Sequence, residues 1–202
     1  MCGLDVTYHG GEGRQGELAV ACAVVVDTYS GLDEAVASSH AVGVARFPYV
    51  PGWLAFREAP LLLEALDRLE VQPDVLLCDG HGYAHDRRFG LPSFMAAMSQ
   101  IPSVGVAKSV HVGSYDARLL GQARGSSTPL VDGGEEVGVA LRTQTDVRPV
   151  FVSTADGTAT HTAAQLVLRQ SLRHRVPEVV RLADIESRRL LRTTLREVKG
   201  ES

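Results

Sequence analysis

The 202-residue sequence predicts an α/β fold built on a mixed central sheet, an antiparallel meander followed by parallel strands, with helices packed against it. Three observations carry that prediction. Up to residue 44, Val- and Ala-rich segments with partial alternation are separated by Gly-, Ser- and Asp-rich breaks, which reads as three strands joined by turns. After Pro51-Gly52 the apolar residues recur at three- and four-residue spacing, the period of a helix. Beyond that point strand-like and helix-like segments alternate, the pattern of crossover connections in a parallel sheet.

Gly3 to Tyr8, Glu17 to Asp27 and Ala35 to Val44 are the strands of the meander, with breaks at 9–16 and 28–33. Leu62, Leu63, Leu66 and Leu69 mark one face of the first helix, and Pro60 suits its start or a kink. Val75 to Cys78, Leu91 to Gln100 and Val104 to Ala107 read as strand, helix and strand, a unit expected to pair in parallel. The polar stretch 121–136 reads as a surface loop within one domain spanning 1–202, because structured segments flank it. Val137 to Arg142 and Val150 to Ser153 supply further strands. Thr162 to Arg173 and Leu182 to Val198 read as helices, the second with Leu191, Leu195 and Val198 inward and Arg188, Arg189, Arg192 and Arg196 outward.

Bulk properties narrow the class of protein. The longest apolar run, Leu18 to Val26, is nine residues, against the ~20 that a membrane-spanning helix needs, so no membrane association is expected. The first residues lack the basic and apolar regions of a secretory signal, and a cytoplasmic protein is the expectation. Cys2, Cys22 and Cys78 are odd in number and lack CxxC spacing, which points to buried reduced thiols. A formal net charge of −4 does not advertise a nucleic-acid partner, since phosphate binding ordinarily uses a basic face. A monomer is expected.

Several residues are placed to do chemistry. Asp5 is a carboxylate inside the first strand, on the side opposite Leu4 and Val6. Asp79 ends the apolar strand Val75-Leu76-Leu77-Cys78 and is followed by Gly80-His81-Gly82; ligands of α/β sheets bind at such strand ends. Two carboxylates on neighbouring strand ends suit Mg²⁺, which takes one or two carboxylates together with waters and phosphate oxygens. Such a site assists phosphodiester hydrolysis. Glu58 is the third acid if its helix packs over those ends, and otherwise an ordinary surface glutamate. Lys108 ends the next strand, as a fixed positive charge or as a lysine snorkelling to water. Phe47-Pro48-Tyr49-Val50-Pro51-Gly52-Trp53 is a stiff aromatic loop, either a wedge for a base stack or a packed hydrophobic turn.

Gly3-Leu4-Asp5-Val6, Phe47 to Gly52, Phe56-Arg57-Glu58, Asp79-Gly80-His81-Gly82 with His85, and Val104 to Ser109 follow one another in the order and approximate spacing of the endonuclease V family, which the chain resembles. The match continues in 138–143, 149–153 and 175–178. The resemblance implies a ribonuclease-H-like fold and a Mg²⁺-dependent endonuclease, with Mn²⁺ as a substitute, that cuts the second phosphodiester bond 3′ to deoxyinosine and leaves the base in place. Inosine-containing DNA is the implied partner, and some members also cut inosine-containing RNA. It implies Asp5 and Asp79 as metal ligands and catalytic residues, Glu58 as the third acid and Lys108 as the lysine near the scissile phosphate. Tyr49 resembles the wedge tyrosine, and Pro51, Gly52, Gly80 and His85 belong to the pocket for the flipped base.

Two departures stand out. Where relatives commonly carry a Gly-His pair after the strand 149–153, this chain has Ala155-Asp156; Asp156 either binds or orients metal-bound water, or caps the next helix. His161, one turn on, reads as a surface residue. Relatives also carry a helical segment before the first strand, whereas Asp5 here follows only four residues. A trimmed or reannotated N-terminus would explain the difference; a segment truly absent would leave one flank of the sheet less covered and lower stability.

Overall fold

The computed structural model describes residues 1–28 and 34–199, so most of the break at 28–33 lies outside the described residues. Its strands are β1 (Cys2–Tyr8), β2 (Leu18–Val26), β3 (Ala35–Val44), β4 (Leu76–Cys78), β5 (Ser103–Ala107), β6 (Ser127–Asp132), β7 (Glu135–Leu141) and β8 (Val150–Thr154). Helices α1 (Leu54–Asp67), α2 (Leu91–Ser99), α3 (Thr160–Gln170) and α4 (Glu178–Lys199) complete the described elements. The strands form one sheet in the order β3-β2-β1-β4-β5-β8-β7-β6. β1, β4 and β5 pair in parallel and the remaining neighbours antiparallel, so the meander and the β4-α2-β5 crossover stand as the periodicity predicts.

Helices cover both faces. Ala19, Ala21 and Ala23 of β2 pack with Leu4, Leu76 and Cys78 against Leu62 and Leu66 of α1 and Met95 of α2. On the other face Leu77, Val104, Val106 and Val152 meet Val167 of α3 and Val179 of α4, while Val20 and Cys22 lie under Leu191. A strand buried on both sides has no polar face to alternate with, which is why Leu18–Val26 is apolar without interruption. The three cysteines are free and buried, as their spacing suggests.

Three expectations need correction. The stretch 121–136 is not all loop: Ser127–Asp132 is β6, joined to β7 by Gly133 and Gly134, both at positive φ, with Asp132 opposite Glu135. Asp-Gly-Gly-Glu is a two-residue hairpin signal. Pro129 is tolerated because β6 is an edge strand. Pro60 lies within α1, so of the two readings the helix start fails. Val198, expected inward, is 76% exposed, whereas Leu191 is 7% exposed.

One glycine fixes where α4 lies. A Cβ on Gly3 would sit 2.3 Å from the Val179 carbonyl oxygen, so only a bare α-carbon lets the first turn of α4 rest on β1. Gly3→Ala is expected to push α4 outward and cost about 1–3 kcal/mol, the usual range for overpacking. Urea unfolding at fixed pH measures it.

Candidate active site

The parallel register of β1 and β4 ends with Leu4 opposite Cys78, so Asp5 and Asp79 are the next residues along two adjacent strands. β5 runs beside β4 in the same direction, and Lys108 follows its last residue. The Lys108 ammonium forms an ion pair with the Asp79 carboxylate. Arg175 donates to the Lys108 carbonyl oxygen at 2.7 Å and to that of Pro149 at 2.6 Å, tying down the chain at this strand end.

Asp5 points to the α4 side, where Ser187 Oγ donates to its Oδ2 at 2.7 Å. Burial, followed by repulsion from Asp184 and Asp79, raises its pKa to about 6 against the opposing effect of the Ser187 hydrogen bond. Glu58, from α1, is raised to about 8 by burial and then by the charges of Asp5 and Asp79. Asp5 is thus coupled to Asp79 and Asp184, and Glu58 to Asp5 and Asp79. Asp184 was not singled out in the sequence. Its α4 partner Ser187 lies one turn on, and only the packing of α4 on Gly3 reveals that both face Asp5.

The residue before Glu58 anchors its surroundings. Arg57, 3% exposed, donates to the Phe47 carbonyl at 2.7 Å, the Arg14 carbonyl at 3.0 Å and the Glu17 carboxylate at 2.5 Å, and its guanidinium lies 4.1 Å from the centre of the Tyr8 ring. It thereby joins the 9–17 turn and the aromatic loop to α1.

Beside the acids lies a cavity of about 480 Å³ lined by Tyr49, Pro51, Gly52, Gly80 and His85, so the structure brings together every residue expected to contact substrate. Trp53 and Phe56 line it too, their ring centres 5.3 Å apart, with Phe94 edge-on to Phe56 at 5.9 Å. Arg87 stacks its guanidinium 4.0 Å from the centre of the Trp53 ring. Tyr49 is 57% exposed and also lines the cleft that contains Glu58, linking cavity to acids.

Asp156 is not part of this group. β8 runs antiparallel to β5, so Thr154 lies opposite Val104 and the Ala155 N–H donates to Ser103 O at 3.0 Å, at the end of β5 away from Lys108. There Asp156 Oδ1 accepts from the Thr158 N–H at 2.9 Å and hydroxyl at 2.8 Å, which holds its carboxyl below the usual range. Asp156 thus braces the turn ahead of α3 and does not cap the helix, whose N-cap Ala159 has no side-chain hydrogen bond, and it lies away from the strand ends that carry Asp5 and Asp79.

Among the described residues, the donors that converge to within 4.8 Å of one another are His85, Asp86 and His111, at one side of the cavity. Asp5, Glu58 and Asp79 form no such trio: Asp79 is drawn to Lys108 and Asp5 to Ser187.

The sequence pattern of the Endonuclease V family matches residues 1–185. The chain belongs to that family. Endonuclease V of Streptomyces avermitilis is 45% identical over 192 residues, covering 95% of this chain and 80% of the relative. The crystal structure of the Streptomyces avermitilis enzyme superposes with a TM-score of 0.87 at 43% identity, covering 96% of this chain and 82% of that one. The Ciona intestinalis enzyme, solved with a 24-mer DNA containing an inosine followed by a ribo-adenosine, gives a TM-score of 0.77 at 27% identity over 96% of this chain and 86% of that one. The sheet is therefore the ribonuclease-H-like sheet of these nucleases, and the chain is a metal-dependent hydrolase acting on DNA.

Raised carboxylate pKa values set the expected pH behaviour. Asp5 and Glu58 hold protons more tightly folded than unfolded, so their ionisation destabilises the metal-free protein as pH rises from about 4 through about 8. Glu58→Gln should flatten that loss in thermal unfolding measured from pH 4 to pH 9. Divalent-cation affinity should rise over the same window, because ligands must first lose their protons.

Proposed function

We propose that this chain hydrolyses the second phosphodiester bond 3′ to a deoxyinosine, leaving the damaged base in place, with Mg²⁺ as the working cation and Mn²⁺ as a substitute. The observation that carries this reading is the aromatic cavity next to an acid cluster, with Tyr49 lining both. About 480 Å³ is within the range of small-ligand sites, and its aromatic walls suit an extruded base.

The acid cluster fits a hard divalent cation. Its donors are carboxylate oxygens; burial first, and then the charges of neighbouring carboxylates, raises Asp5 and Glu58, and added positive charge offsets both effects. Asp5 and Asp79 would hold the ion, with Glu58 and Asp184 beside it. When bound, Mg²⁺ orients the attacking water and offsets charge that develops at phosphorus and at the leaving oxygen. Lys108, presented by β5 and secured through Arg175, supplies fixed positive charge against the scissile phosphate. Tyr49 fills the gap that the flipped nucleotide leaves in the stack. Backbone groups at Gly52 and Gly80, together with His85, face the base edge in the cavity.

Residues 1–202 act as one catalytic unit in this reading, with no membrane partner. A second reading, cleavage of inosine-containing RNA, is favoured by the ribo-adenosine that follows inosine in the Ciona intestinalis complex. Matched single-stranded RNA and DNA substrates separate the two.

A labelled duplex with a single deoxyinosine tests the proposal; no incision with either Mg²⁺ or Mn²⁺ would overturn it. Asp79→Ala should abolish cleavage while preserving the circular dichroism spectrum and substrate binding. Tyr49→Ala should lower the preference for inosine over normal duplex by about tenfold, the equivalent of roughly 1.4 kcal/mol. Asp156→Ala, at the far end of β5, should leave the single-turnover rate within about twofold; a loss comparable to that of Asp79→Ala would return Asp156 to the metal site.

A further inference from the structure

A second constellation of ligands lies outside the acid cluster. His85 Nδ1 stands 2.9 Å from Asp86 Oδ1, and His111 Nε2 stands 3.4 Å from the same oxygen. The two imidazoles are packed together, ring centres 4.9 Å apart, and His81 stacks on His111 at 5.8 Å. His81 is itself held by a 2.9 Å contact between its Nε2 and the Ser109 carbonyl, so the His111 ring has two imidazole neighbours.

The Arg87 N–H reaches His85 Nδ1 at 3.2 Å, so Nδ1 is the unprotonated ring nitrogen, the form in which imidazole binds a metal, and it stands beside Asp86 Oδ1. A cation between Nδ1 and Oδ1 takes the place of that long hydrogen bond on the nitrogen lone pair. With metal–ligand distances of about 2.0–2.1 Å, separations of 2.9 and 3.4 Å correspond to ligand–metal–ligand angles of roughly 90° and 110°, both ordinary for three protein ligands and an open position.

We propose that His85, Asp86 and His111 form a second cation site, selective for Zn²⁺ and chemically distinct from the all-oxygen acid cluster. Two imidazoles and one carboxylate are the donors that favour a borderline-soft ion, whereas Mg²⁺ prefers oxygen. The Asp86 carboxylate is 54% and His111 32% exposed, so an ion can reach the site from solvent, and both histidines line the cavity. Zn²⁺ bound there occupies one side of the cavity with its open position facing inward, and so competes with an entering base. That consequence rests on the cavity being the base pocket; the binding does not.

The test uses the full chain saturated with Mg²⁺, titrated with Co²⁺ as a spectroscopic stand-in and with Zn²⁺ by calorimetry. One equivalent of Co²⁺ should bind with a visible d–d band and no thiolate charge-transfer band. His111→Ala and Asp86→Ala should each weaken binding by at least about tenfold, and Asp79→Asn should not. Absence of stoichiometric binding in the wild type, or a band that survives in the His111→Ala/Asp86→Ala double variant, overturns the site. Zn²⁺ should also slow deoxyinosine cleavage in the wild type and lose that effect in His111→Ala. Binding without inhibition would leave the site standing and remove the base-pocket reading of the cavity.

Discussion

Parallel pairing of β1 with β4, closing at Leu4 opposite Cys78, sets two carboxylates on adjacent strands at one level of the sheet. Everything near the site is arranged around the repulsion that this creates. Lys108 reaches the same level because β5 continues the parallel set, and its charge is spent on Asp79. α4 can approach closely enough for Ser187 to bond Asp5 because Gly3, two residues earlier on the same face of β1, carries no side chain. Without that pairing the acids would be scattered charges on separate elements.

What the sheet brings together it neutralises only at Asp79, through Lys108. Asp5 and Glu58 are raised to about 6 and about 8, mainly by burial and then by other carboxylates. A fold that placed these groups only for stability would surround them with basic partners, yet the buried Arg57 beside Glu58 is committed to Glu17 and to two backbone carbonyls. The shortage of positive charge is what a divalent cation supplies, and it accounts physically for the metal dependence of the family. It also explains how a chain of net charge −4 can act on DNA: the cation brings the local positive charge that the composition lacks.

The cavity owes its form to a different constraint. Two prolines stiffen the loop from Phe47 to Trp53, and Arg57 accepts the task of holding its carbonyl at Phe47, so the rings are fixed before any ligand arrives. Tyr49 extends into solvent while Trp53 and Phe56 line the cavity, dividing one short segment between wedge and wall. The three histidines on the other side of the cavity are gathered from two separate loops, 79–90 and 108–113, which gives that side a nitrogen-rich chemistry unlike the oxygen-rich acid cluster.

Much of this was legible along the chain. The meander, the β4-α2-β5 crossover and the placing of Asp79 and Lys108 at strand ends follow from periodicity, which records how each segment divides its faces between core and water. The hairpin of β6 and β7 was legible too, in Asp132-Gly133-Gly134-Glu135, but a polar edge strand resembles a loop when composition alone is weighed. Glu58 came into view through resemblance, since nothing local distinguishes it from a surface glutamate. Tertiary structure alone decided that Asp184 belongs with Asp5, that Asp156 leaves by the far end of β5, and that His111 meets His85 and Asp86. The reason is one of range. Local pattern encodes what a residue's own segment must do, whereas Ser187 and Asp5 are 182 positions apart and meet only because α4 packs on β1.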